Sequence, residues 1–350
     1  MMILEPFKEK REKTMERRRF LKWMGALGLG LTPLVWAAPV REKIFGRGLA
    51  SAAKTRPLMG TFVTVTVLHP SQDKAFEAME KAFAEMERLI HLLNRHAPDT
   101  PVSYLNRVGY LTDIPPEIHE VVGHAERLHR LTHGAFDITV KPILDLLETC
   151  FSRNLSAPSA EEIRMALRRI GVHYLVHQEK EMRFLQEGMG ITLDGIAKGY
   201  IVDRAVSQLK GQGIQHALVN AGGDILALGG KGDDQPWRIA IQDPRDRNRI
   251  VGIIPLREGA LATSGDYENF FDPEKKFHHI INPETGLSPQ QFSSVSVRTS
   301  SLTVADALAT AAFIPSLHMA KIFLQSISGA EALWIDQRKV QTRSPGWKWV

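Results

Sequence analysis

Thr192-Leu193-Asp194-Gly195-Ile196-Ala197-Lys198-Gly199-Tyr200-Ile201-Val202-Asp203 compresses a strand end, a turn and a helix start into twelve residues. The apolar run at 191–193 predicts a short strand, Asp-Gly predicts the turn, and the spacing of apolar residues over 196–209 predicts a helix. Two readings of the join stand side by side. The backbone amides of a helix start, with Lys198 in the first turn, suit a bound phosphate. Equally, Asp194 caps the helix and Lys198 points into solvent. The GxxxxGK[ST] pattern of a phosphate-binding P-loop is absent.

Working outward, 62–68 (FVTVTVL) alternates β-branched residues as a strand does. Over 75–93, Phe76, Met79, Phe83, Met86, Leu89, Ile90 and Leu93 recur at helical spacing. Further helices are expected over 116–132 and 159–170, and short strands near 172–177 and 182–186. Beyond the central stretch, 214–299 reads as strand-rich, 302–313 and 318–325 as helical, and 332–335 as a closing strand. Long helices early, strands late and helices again predict a mixed α/β (α+β) architecture, mixed sheets flanked by helices. Residues 56–350 read as one functional unit, preceded by an extended linker, 38–55, with no clear period.

The formal charge of +5 sits at one end. Residues 1–37 carry eight Lys/Arg against four Asp/Glu, and the rest carry 36 against 35. The body is therefore near neutral, which argues against nucleic acid as a partner. Arg17-Arg18-Arg19-Phe20-Leu21-Lys22 precedes fifteen uncharged residues ending in Val35-Trp36-Ala37, short for a membrane span of about 20 residues. A basic segment, a modest apolar segment and a small-residue end read as a signal peptide over 1–37. Twin arginines followed by Phe-Leu-Lys are similar to the signal of the twin-arginine (Tat) pathway, so a periplasmic location is expected. Met15, two residues before Arg17, is the expected start of translation. Cys150 is the only cysteine, which excludes an intramolecular disulfide and leaves none beside the signal to carry a lipid.

Asp306 and Thr310 lie four apart on an expected helix among small alanines, and so share a face. Carboxylate and hydroxyl oxygens are hard ligands of the kind Mg²⁺ takes; a polar stripe on a helix surface is the alternative. Asn220-Ala221-Gly222-Gly223-Asp224 and Ala262-Thr263-Ser264-Gly265-Asp266-Tyr267 have the glycines of tight turns. His278-His279-Ile280-Ile281-Asn282-Pro283-Glu284-Thr285-Gly286 is an apolar strand that opens on histidines. His129 and His133 are four apart but lack the cysteine or acidic companions of a zinc site.

Taken in order, these segments resemble the FAD:protein FMN transferase (ApbE) family. The resemblance runs from Met59-Gly60-Thr61 to Thr310, through Ser103-Tyr104-Leu105-Asn106, Gly134-Ala135-Phe136-Asp137-Ile138-Thr139-Val140-Lys141-Pro142, Gly195 to Tyr200, the turn at Asn220, the segment after Ala262, and His279 to Gly286. It implies transfer of FMN from FAD to a threonine of another protein, with release of AMP and a requirement for Mg²⁺. By that resemblance Asp306, Thr310 and the backbone carbonyl of Gly195 hold Mg²⁺. Met59, Ala135, Phe136, Asp137, Lys198 and the backbone near Ile281 line the FAD site. His279 is expected to be the base that takes the threonine proton. Two positions depart from the family's pattern. Thr192 stands where an aspartate is usual, and Asp194, sharing its face on a strand, is expected to substitute. His96 stands where a tyrosine is frequent and offers a smaller flat ring to stack on FAD. The acceptor implied is a subunit of a membrane redox complex. An FAD pyrophosphatase, or a non-catalytic periplasmic flavin-binding protein, are the rival readings.

Overall fold

Residues 43–350 form one compact unit. The structure, a computed structural model, describes residues 44–45, 48–154, 156–232 and 235–350. The expected leader and the first part of the expected linker lie outside the described residues. The chain runs β1 (Ile44–Phe45), β2 (Leu49–Leu58), β3 (Thr61–His69), α1 (Gln72–Leu93), α2 (Pro101–Val108), β4 (Tyr110–Thr112), α3 (Pro116–Leu131), α4 (Lys141–Thr149), α5 (Ala160–Leu167), β5 (Leu175–His177), β6 (Glu181–Phe184), α6 (Ala197–Gly211), β7 (His216–Ala221), β8 (Asp224–Leu228), β9 (Trp237–Asp243), β10 (Asp246–Leu256), β11 (Gly259–Gly265), β12 (Phe292–Thr299), α7 (Leu302–Phe313), α8 (Leu317–Gln325), β13 (Glu331–Asp336) and β14 (Gln341–Arg343).

Nine strands pair antiparallel in the order β1-β2-β3-β7-β8-β11-β12-β13-β14. Period-two alternation gives the sheet two buried faces. Leu226 and Leu228 of β8 face the helices, as do Val65, Val67, Val295, Val297 and Trp334. Ile225 and Ala227 face the other way, onto Trp237, Ile239, Ile241 and Ile254 of the β9–β10 hairpin. The helical side is the larger core. Phe83, Met86 and Leu89 of α1 are wholly inaccessible there, and truncating one side chain of that kind costs about 2–5 kcal/mol. A smaller cluster gathers α4, α5 and Ile281.

Two corners of the sheet prepare the site. Met59 and Gly60 join β2 to β3 with φ of 52° and 71°, and Gly222 and Gly223 join β7 to β8 with φ of 65° and 103°. Turns with positive φ at both central residues match the twist of a hairpin. The pairing of Val63 with Ala221 brings the two turns to one end of the sheet. A Cβ on Gly222 would stand 2.4 Å from Thr61 Oγ1, so only glycine fits. Met59 has no glycine's freedom, and a bulky residue held at positive φ is strained.

Several expectations change. Residues 49–55, read as linker, are the front of β2, paired with β3 from Ala50 onward. Leu-Ala-Ser-Ala-Ala-Lys-Thr is too poor in large apolar residues to show a period. Residues 191–193 are not a strand. Their backbone is held by a side chain: Asn106 Nδ2 donates to the Ile191 carbonyl at 2.9 Å, and Ile191 N–H donates to Asn106 Oδ1 at 2.7 Å. The front of 172–177 is a 3₁₀ turn, Val172–Tyr174, and β5 follows. Helices α2 and α4, each led by proline in its first turn, add to those expected.

Candidate active site

Helices α6 and α7 cross so closely that a Cβ on Gly199 would lie 2.3 Å from the Leu302 carbonyl oxygen. The crossing is locked by Asp203, one turn beyond Gly199 on α6. Its carboxylate accepts from Leu302 N at 2.9 Å, Thr303 N at 2.8 Å, Ser301 Oγ at 2.7 Å and Thr303 Oγ1 at 2.6 Å. One helix therefore caps the other, satisfying amides that a helix start leaves open.

That lock sets Asp306 against the start of α6. Asp306 is only 6 % exposed, so it is not part of a surface stripe. Its Oδ2 accepts from Gly199 N at 2.9 Å. The anion at the α6 N-terminus is thus this carboxylate, and the first-turn amide of Gly199 is already taken. Burial, then the charge of Asp224, push the Asp306 carboxyl well above the usual range, while Lys198 and the Gly199 N–H pull the other way. One turn on, Thr310 Oγ1 lies 3.2 Å from Ser264 Oγ. A Cβ on Gly195 would meet Thr310 Oγ1 at 3.1 Å and Phe136 Cε2 at 3.3 Å. Gly195, Asp306, Thr310 and Phe136 therefore meet in space.

Lys198 does not point freely into solvent. Its Nζ lies 2.6 Å from Asp224 Oδ2. Burial alone would lower its pKa, but the carboxylates of Asp224 and Asp306 outweigh burial and hold the ammonium well above the usual lysine range. Asp194 does not cap α6 either: the cap position is Ile196, with no side-chain cap bond. Arg95 Nε donates to Asp194 Oδ2 at 2.8 Å, and His96 Nε2 stands 4.0 Å from the same oxygen. Thr192 is buried, and its Oγ1 accepts from Asp194 N at 3.2 Å. With no strand here, the two-residue spacing gives no reason for Asp194 to replace Thr192; the Asp194 side chain is half exposed and paired with Arg95.

The neighbouring histidines have different fates. His278 is wholly buried; Nε2–H donates to the Pro289 carbonyl at 3.0 Å and Nδ1 accepts from Ile280 N at 3.3 Å, so both nitrogens are used. His279 donates Nδ1–H to the Asn269 carbonyl at 3.0 Å, which leaves the lone pair on Nε2. Burial lowers its pKa to about 4, against the Asn269 carbonyl, and it feels Asp194 and Lys198. His279 is therefore neutral at physiological pH with an open acceptor nitrogen.

Ala135, Phe136 and Asp137 form a turn that His129 holds: its Nδ1–H donates to the Phe136 carbonyl at 2.9 Å. The Asp137 carboxylate accepts from Thr139 N at 2.7 Å and Thr139 Oγ1 at 2.6 Å, so it serves the turn. Met59 packs against the main core, and the side chain of Ile281 is buried in the smaller cluster. Asp203, Asp224, Arg95, Asn106 and His129 are partners that the reading of single motifs missed. Asp203, Asn106, Asp224 and His129 all lay in quoted segments, where Asp224 passed for a turn residue and the partners of the others did not show.

The profile of the ApbE family matches residues 59–334. An FAD:protein FMN transferase of Klebsiella pneumoniae is 31% identical over 240 residues, covering 65% of this chain and 68% of that protein. The protein of the same name from Vibrio cholerae is 32% identical over 264 residues, covering 73% and 78%. Among solved structures, the ApbE protein of Thermotoga maritima superposes with a TM-score of 0.76 at 30% identity, covering 84% of this chain and 97% of that one. The apo form of the Pseudomonas stutzeri flavinyl transferase ApbE gives 0.72 at 28% identity, covering 85% and 95%.

Proposed function

The chain belongs to the ApbE family and is an enzyme, an FAD:protein FMN transferase; we propose that it esterifies the FMN phosphate to a threonine hydroxyl of its acceptor, releases AMP and requires Mg²⁺. The observation that carries the reading is the meeting of Gly195, Asp306 and Thr310 at the crossing of α6 and α7. A buried carboxylate, a hydroxyl and a backbone carbonyl are hard oxygen donors that fit Mg²⁺ and leave its other positions to water and phosphate oxygens. The upward shift of Asp306 is the mark of a buried carboxylate in need of positive charge. When bound there, Mg²⁺ neutralises pyrophosphate charge and favours departure of AMP.

The chain's own groups do the rest. Lys198, ionised between two carboxylates, places a fixed positive charge beside the pyrophosphate. His279 Nε2 accepts the proton of the threonine hydroxyl, whose oxygen forms the new bond to the FMN phosphorus as the bond to the AMP phosphate oxygen breaks. Throughout, Nδ1–H remains on the Asn269 carbonyl and keeps the ring oriented.

The acceptor is a flavin-bearing subunit of a membrane redox complex in the exported compartment. Arg17 and Arg18 are the basis for export; with both changed to lysine the precursor is expected to stay in the cytoplasm, and an unaltered periplasmic fraction would refute the Tat assignment. The reaction is tested by AMP release from FAD with Mg²⁺. Release is expected to be slow alone and to rise sharply with an exported redox domain bearing a suitable threonine. Fast release that no acceptor changes would mean that water is the nucleophile.

A further inference from the structure

Lys198 stands between two acids that do different work. On one side its Nζ is 2.6 Å from Asp224 Oδ2. On the other, the next residue, Gly199, donates its N–H to Asp306, and the charge of Asp306 bears on the same ammonium. Asp224 is 2 % exposed and opens β8 directly after the Gly222-Gly223 turn. Its Oδ1 accepts from Thr263 N of β11 at 3.1 Å, so the neighbouring strand fixes the carboxylate that holds the lysine. Such a fixed acceptor is a stronger claim on an ammonium than a free one, because it gives up little freedom in binding.

We propose that Asp224 is a positioning residue that keeps Asp306 free for a cation, by holding the Lys198 ammonium so that lysine and Asp306 do not close on each other. The inference rests on the reading of Asp306 as a Mg²⁺ ligand and adds what guards that ligand. The charges explain the need. Asp224, Lys198 and Asp306 together carry one negative charge, which attracts a dication. With Asp224 neutral, the trio carries none, and the nearest carboxylate left to Lys198 in the buried site is Asp306. A metal ion then has to displace an ammonium. Exposed Glu268 also bears on Lys198, less than Asp224 and Asp306 do.

The test is titration of Mn²⁺ alone into the full chain, with free ion followed by electron paramagnetic resonance. Wild type is expected to show one site that Asp306→Asn removes. Asp224→Asn keeps an oxygen for Thr263 N–H and is expected to weaken the site about tenfold or more, the size of a nearby buried charge. The decisive variant is Asp224→Asn with Lys198→Met, which restores one net negative charge and removes the competitor. It is expected to bind Mn²⁺ within about threefold of wild type. If Asp224→Asn binds as wild type does, or if the double variant binds as poorly as the single one, the proposal is wrong. A wild-type chain with no Asp306-dependent site would remove the metal reading and this inference with it.

Discussion

On one side of Gly195 lies the crossing of α6 and α7; on the other lies the mouth made by 94–96 and 192–194, and the two are built on opposite plans. At the crossing every carboxylate has a fixed set of donors, and Asp203 alone takes four. At the mouth, the side chains of Asp194 and His96 are 49 % and 64 % exposed, and the two meet only at 4.0 Å. The contrast separates two tasks. Groups that hold charge in place during phosphoryl transfer must not reorganise, and they sit where helix–helix packing forbids it. The exposed side chains of Asp194 and His96 are left free to adjust.

The sharpest way to break the comparison is Asp306→Ala. Loss of the proposed Mg²⁺ ligand is expected to cut transfer by about 10³-fold or more, while the chain keeps a folded far-UV spectrum and loses at most about 1–3 kcal/mol of stability from the Gly199 N–H left unpaired. Retained activity, or an unfolded chain, would make Asp306 structural. His279→Ala is expected to slow transfer by about 10²- to 10⁴-fold while FAD binding changes little. Its pH signature has a definite sign. The ring's pKa falls from about 6.5 unfolded to about 4 folded. The unfolded chain therefore takes up the proton first, and stability is lost as pH falls from 6.5 towards 4. Denaturant midpoints of His279→Gln should fall less over that window than those of wild type.

Gly199→Ala asks whether the crossing needs its close approach. Its Cβ would clash with the Leu302 carbonyl, and overpacking of this kind costs about 1–3 kcal/mol, readable in chemical denaturation. A midpoint unchanged from wild type would mean that the helices part freely. The mouth gives the smallest effect. A partly exposed ion pair is worth about 0–1 kcal/mol, so Asp194→Asn should leave stability nearly unchanged and alter the KM for FAD more than kcat. A loss as deep as that of Asp306→Ala would erase the distinction between the two regions.

The strongly periodic elements were legible: the helix expected at 302–313 is Leu302–Phe313, and that at 75–93 lies within Gln72–Leu93. What failed was local pattern without its partner. Ile191-Thr192-Leu193 has strand composition, but its backbone partners are the side chain of Asn106, 85 residues away, and the single carbonyl of Ile138. β2 carries small residues and a proline because it lies near one edge of the sheet. Within the site, Lys198, Asp306 and Thr310 could be named only through the family resemblance, because their spacing alone left a solvent-facing lysine and a surface stripe as equal readings. Asp203 could not, since its partners begin 98 residues later, at Ser301. Nor does sequence distinguish His278 from His279; only the carbonyls of Pro289 and Asn269 do.

Intact-mass measurement of an acceptor domain incubated with this enzyme, FAD and Mg²⁺ tests the account most directly. The acceptor is expected to gain one FMN mass, with equimolar AMP released. No gain is expected when the acceptor threonine is alanine or the enzyme carries Asp306→Ala. FAD converted to free FMN and AMP at the same rate with or without acceptor, and an acceptor of unchanged mass, would contradict it.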